Sequence, residues 1–109
     1  MKAVVYRQRQ AAVMSERELQ EQVVCVARHL GWLVYHTFDS RRSEPGFPDL
    51  VLVRGQKVLF RELKTGRGRV SEAQRLWLER LAVAGADVGV WRPEQWLDGT
   101  IQEVLQCRR

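Results

Sequence analysis

Long apolar runs are missing from this chain. No segment of its 109 residues reaches the roughly 18 uninterrupted apolar residues that a membrane-spanning helix requires. Nothing near Met1 resembles the apolar core of a signal peptide, so a cytoplasmic, non-membrane protein is expected. Cysteine is scarce: Cys25 and Cys107 stand far apart, with no CxxC and only two histidines in the chain, which excludes the usual zinc spacings and any disulfide framework. Prolines number three, and no low-complexity tract or internal repeat divides the chain, so residues 15–109 are expected to form a single domain. Residues 1–14 lack clear periodicity and are set apart as an arm or partner-contacting segment.

Acidic residues are also the minority, 13 against 18 Lys and Arg, for a net charge of +5. The excess is local. Between Arg41 and Arg75 stand nine cations and four acids, and the remainder of the chain is neutral. Fifteen of the cations are Arg, whose fork of donors matches phosphate oxygens, so the partner to expect is nucleic acid. Arg41, Arg42, Arg67 and Arg69 fall in loops, where long cationic side chains either follow a phosphate backbone or form a solvated surface.

The order of elements reads α-β-β-β-α-β-α, an α/β fold with a mixed sheet flanked by helices. Ser15, with Glu18 at capping-box spacing, opens a helix whose apolar positions Leu19, Val23, Val26, Ala27 and Leu30 run to Gly31. Residues 32–37 read as a strand, and 38–48, with two prolines and a glycine, as a loop. Residues 49–54 and 57–64 are strand-like and separated by Gly55-Gln56, a two-residue connection with glycine where a type II′ turn requires it. Ser71 and Gln74 open a second helix ending at Gly85, 87–91 is a further strand, and a short helix near 94–106 closes the chain. Trp32, Trp77, Leu81 and Trp91 are expected in the core, and Trp96 at its edge or at a subunit contact.

Hairpin register turns this outline into chemistry. With Gly55-Gln56 as the turn, Arg54 faces Lys57, and continuing the pairing sets Asp49 opposite Glu62, with Cβ atoms about 4.5–5.5 Å apart. Two carboxylates so close repel unless a proton or a cation lies between them, and a hard divalent cation is the usual answer. Lys64, two residues after Glu62, shares its face, so its ammonium joins the acids. Hydrolysis of a phosphodiester uses this combination: a metal ion that acidifies water, and a cation that orients the water or stabilises the transition state.

Pro48-Asp49 followed by Glu62-Leu63-Lys64 resembles the PD-(D/E)XK nuclease signature. The wider set GFPDLVLV, RELKTGRGRVSEAQRLWLERLAVAGADVGVWRPEQW, SERELQEQV and GWLVYHTFDSRRS resembles the VRR-NUC family, and in particular its small standalone phage and bacterial members, over about Ser15 to Trp96. The resemblance implies a restriction-endonuclease-like core and a Mg²⁺- or Mn²⁺-dependent endonuclease acting on DNA in a bacterial or phage-infected cell. Its standalone members are similar to resolvases of Holliday junctions and form homodimers, which implies branched or double-stranded DNA as substrate and a second copy as partner. The alternatives are a DNA-binding module that kept the fold without catalysis, and a structural dimer. The resemblance further implies Asp49 and Glu62 as metal ligands with the Leu63 carbonyl, Lys64 as catalytic lysine, and a glutamate on the first helix. Helical geometry favours Glu16 there, because it falls within roughly 40° of the Leu19 and Val23 stripe while Glu18 points away. Gln20, one turn on, either touches the site or rims the core. Gln74 either caps its helix or faces the catalytic centre, and His36 is structural, a phosphate contact or a catalytic group.

Overall fold

The computed structural model describes residues 9–11, 13–37 and 42–108. Most of the proposed arm, and Arg41, therefore lie outside the described residues; of the arm, Arg9 to Ala11 are helical, and Ala11 is buried. The elements are α1 (Glu16–His29), β1 (Leu33–His36), β2 (Leu50–Arg54), β3 (Lys57–Leu63), α2 (Glu72–Val83), β4 (Asp87–Trp91), α3 (Pro93–Leu97) and α4 (Thr100–Gln106). They build one mixed sheet in the order β1-β2-β3-β4, antiparallel through β3 and parallel between β3 and β4, where α2 supplies the crossover.

The hairpin has the expected register: Arg54 pairs with Lys57, Leu52 with Leu59 and Leu50 with Arg61. Gly55 takes a φ of +60°, and no other residue type among those described has a positive φ, which suits a turn of the II′ kind. The ladder is assigned from Leu50, one residue later than expected, because Asp49 bends; its carbonyl still accepts from the Thr37 N–H at 2.9 Å, in line with the β1–β2 register.

The core lies on one side of the sheet. Leu19, Val23 and Ala27, one stripe of α1, are fully buried against Leu50, Leu52, Leu59, Leu63 and Trp91, with Ile101 and Leu105 of α4 completing the layer. Trp32 donates its indole N–H to the Leu105 carbonyl at 2.9 Å. Arg54 stacks over the Trp32 ring and donates to the carbonyls of Leu30 and Leu105, which ties α1 and α4 to the hairpin.

Three expectations change. The C-terminal helix is two, because Gly99 takes a φ of +88° and the Asp98 carboxylate accepts from the Thr100 N–H at 2.8 Å, starting a new helix. Glu18 does not complete a reciprocal box: Ser15 Oγ accepts from its N–H at 3.0 Å, but its carboxylate takes the Ser15 hydroxyl rather than a backbone donor. Trp77 and Leu81 are only half-buried, since α2, on the second face of the sheet, contributes no buried residue. Much of that face is open, with Leu33 76% and Tyr35 61% exposed and Val58 beside them.

Candidate active site

The acidic pair forms where the hairpin strands end. Asp49 follows buried Pro48, whose carbonyl accepts from the Thr37 hydroxyl, and its Oδ2 accepts from the Leu63 N–H at 2.8 Å. That bond holds the Asp49 side chain across to β3, beside Glu62. Glu62 is only 2% exposed, at the end of a strand whose last three residues are all buried. Its Oε2 accepts from Gln74 Nε2 at 2.6 Å and lies 3.7 Å from Lys64 Nζ. Its Oε1 is buried and has no hydrogen-bond partner among the described residues.

An acid so placed is reluctant to ionise. Burial first, then the neighbouring charge of Asp49, push Glu62 from its usual 4.5 up to about 8, while the Lys64 ammonium pulls the other way. The folded state thus holds this proton more tightly than the unfolded chain does. The stabilisation is complete below about 4.5 and is lost as pH rises through about 8. In chelator, the urea midpoint of the wild-type protein is expected to fall across that interval, and that of Glu62→Gln to stay nearer level. Equal slopes for the two proteins would remove burial of Glu62 as the cause.

Gln74 caps its helix and also reaches Glu62. Its Oε1 accepts from the Ser71 N–H at 2.8 Å and its own N–H donates to Ser71 Oγ, a complete capping box, while its Nε2 reaches Glu62. The first turn of α2 is in turn seated on the 42–48 loop. Trp77 donates its indole N–H to the Pro45 carbonyl at 3.2 Å and packs edge-on against Phe47.

On the other side, Glu16 lines a cleft of about 250 Å³ together with Gln20, Thr37, Asp49 and Leu63, whereas Glu18 is engaged with Ser15. Glu16 borders the pair without completing it: among the described residues no three acidic, His or Cys side chains gather as a ready-made metal cluster. The oxygen-bearing side chains of Glu16, Gln20 and Thr37 line the cleft beside Asp49. Gln20 also lines a larger groove, about 560 Å³, with Val24, Cys25, Arg28 and His36. His36 lines that groove. Arg42, Arg67 and Arg69 are exposed.

Sequence reasoning missed Arg92, which stands between the strand 87–91 and Pro93. Its Nη1 donates to the carbonyls of Thr65 and Gly68 at 2.7 and 2.8 Å, so it grips the basic loop next to Lys64. An arginine before a proline carries no signal of this, because the contact depends on the parallel pairing of β3 with β4.

A mixed four-stranded sheet with an aspartate, a glutamate and a lysine at the open end of its hairpin is the arrangement of the PD-(D/E)XK class. Within that class, the model of the VRR-NUC domain family matches residues 3–95, and the chain belongs to that family. A solved VRR_NUC domain superposes with a TM-score of 0.67 over 82% of this chain and 97% of that one, at 23% identity. The chain is also 33% identical over 78 residues to the Fanconi-associated nuclease 1 of Danio rerio, a match that takes in 68% of this chain and 8% of that much longer protein.

Proposed function

We propose that the protein is a Mg²⁺- or Mn²⁺-dependent DNA endonuclease, with Asp49, Glu62 and the Leu63 carbonyl as the donors that would hold the ion, Lys64 as the catalytic lysine and Glu16 at the mouth of the cleft. The observation that carries the reading is Glu62: a buried carboxylate beside a second carboxylate, with one oxygen that takes no hydrogen bond from the described residues. Such an oxygen costs stability unless something positive or a proton occupies it. The donor set is all oxygen, which suits a hard divalent cation. When bound, the ion supplies Lewis acidity toward the phosphodiester and toward water.

The chain's own residues supply the rest. Gln74 fixes Glu62 through Oε2 and leaves Oε1 for the ion. Lys64, 3.7 Å from that same Oε2, offers an ammonium where negative charge builds on the phosphoryl oxygens. Arg42, Arg67 and Arg69, exposed on the loops that flank the hairpin in sequence, give contacts to the backbone that carry no base preference. No helix among the described residues is long and apolar enough to cross a membrane.

Cutting both strands of a branched or double-stranded DNA, such as a Holliday junction, takes two such sites, and a homodimer provides them. The open apolar face of β1 to β3, including Leu33, Tyr35 and Val58, supports a second copy as its cover. Light scattering is expected to give a dimer for the wild-type protein and a monomer for Leu33→Glu/Tyr35→Glu. A wild-type monomer at micromolar concentration ends the dimer reading. Activity itself is tested with labelled linear, flap and four-way-junction DNA in Mg²⁺, Mn²⁺ or chelator. Cleavage that persists in chelator refutes the metal dependence, and absence of cleavage with every substrate leaves a DNA-binding module.

A further inference from the structure

The end of β3 and the end of β4 stay together after both strands have stopped. The Lys64 N–H donates to the Trp91 carbonyl at 3.1 Å. One residue on, Arg92 Nη1 donates to Thr65 O and to Gly68 O. The loop closes on itself through Gly68 N–H to Thr65 O at 3.2 Å. Gly66 sits under Glu94, whose Oε1 lies 2.7 Å from where a Cβ would be, and a Cβ on Gly68 would stand 3.4 Å from Lys64 Cδ. The stem of the lysine therefore runs along the loop that the guanidinium holds. Arg92 is itself fixed, since its N–H donates to Gln95 Oε1 at 3.0 Å and Pro93 follows.

We infer that Arg92 is a positioning residue: its grip on the 65 and 68 carbonyls sets the path of the basic loop, and through the loop the placement of Lys64 against Glu62 and the outward presentation of Arg67 and Arg69. A lysine followed by two glycines within four residues has little local rigidity on that side. A guanidinium bridging two carbonyls removes that freedom before DNA arrives, and preorganised charge is what lowers a barrier. The kinetic part of this inference rests on the nuclease reading; the structural part does not.

Trypsin gives a readout independent of activity, because it cuts after Arg67 and Arg69 only when the loop opens. Arg92→Met is expected to be nicked in the loop roughly tenfold faster than the wild-type protein at an unchanged unfolding midpoint. Its kcat on DNA is expected to fall by about tenfold to a hundredfold, with the larger share of the loss in kcat rather than KM. Arg92→Lys, which keeps the charge and some donors, is expected to recover part of both, and serves as the test protein should Arg92→Met not fold. Wild-type protection of the loop in these variants overturns the inference, as does a wild-type kcat. A wild-type protein that cuts no DNA defeats the nuclease reading alone, since the rate of nicking still decides whether Arg92 holds the loop.

Discussion

Glu62→Ala is expected to lower DNA cleavage in Mg²⁺ on the order of a thousandfold or more while leaving a folded protein. The loss is large because Glu62 is the junction of the site. It is the acid paired with Asp49, the acceptor of Gln74 Nε2 at 2.6 Å, and the counter-charge of Lys64 at 3.7 Å. Removing it strips the proposed ion of one carboxylate and lets the lysine drift from its place. The fold should tolerate the change, since the deleted group is also one that burial and the Asp49 charge disfavour in its ionised form. Two measurements go together: the rate on labelled four-way-junction DNA, and calorimetric binding of Mn²⁺, which should weaken in parallel. A variant that cuts at the wild-type rate would show that the hydrolytic centre lies elsewhere.

Gly46→Ala, which alters neither acid nor the lysine, is expected to cost about 3 kcal/mol or more of stability and to reduce cleavage in whatever folded protein remains. Gly46 has a φ of +88°, which strains any other side chain. A Cβ there would lie 2.3 Å from Ala73 C, 2.4 Å from Ala73 O and 2.7 Å from Gln74 N, all backbone atoms that cannot swing aside. The first turn of α2 would have to lift, and that turn carries Gln74 to Glu62. Urea denaturation reads the stability, and the same junction substrate reads the rate. A midpoint within error of the wild-type value would mean that the 42–48 loop does not seat α2 as described.

The pairing of Asp49 with Glu62 was legible before any coordinates because a tight hairpin is local. Once Gly55-Gln56 makes the turn, the pleat leaves no choice about which residues face each other, and Lys64 follows by alternation. The helix starts at Ser15 and Ser71 were legible for the same reason, each being a few residues of side-chain-to-backbone chemistry. The choice of Glu16 over Glu18 used helical angle and the capping role of Glu18, and Glu16 lines the same cleft as Asp49.

What stayed hidden was non-local. Leu76, Trp77, Leu78 and Leu81 make α2 look like a core helix, yet apolar spacing says which side of a helix wants cover, not whether anything covers it. The break of 94–106 into α3 and α4 turns on the left-handed conformation of Gly99, which a single glycine among good helix formers does not announce. Arg92 reaches Thr65 and Gly68 across 27 and 24 residues, through a crossover whose landing point the chain alone does not reveal.

The acids and the lysine at the hairpin end were thus settled by the sequence itself, through period-2 strands and a two-residue turn. Only the tertiary structure decided how they are held: Gln74 on Glu62, Gly46 beneath Gln74, and Arg92 on the loop beside Lys64. The division has a physical cause. Short-range backbone geometry dictates which residues face one another, whereas the orientation of a charged side chain depends on partners that arrive only when distant segments pack.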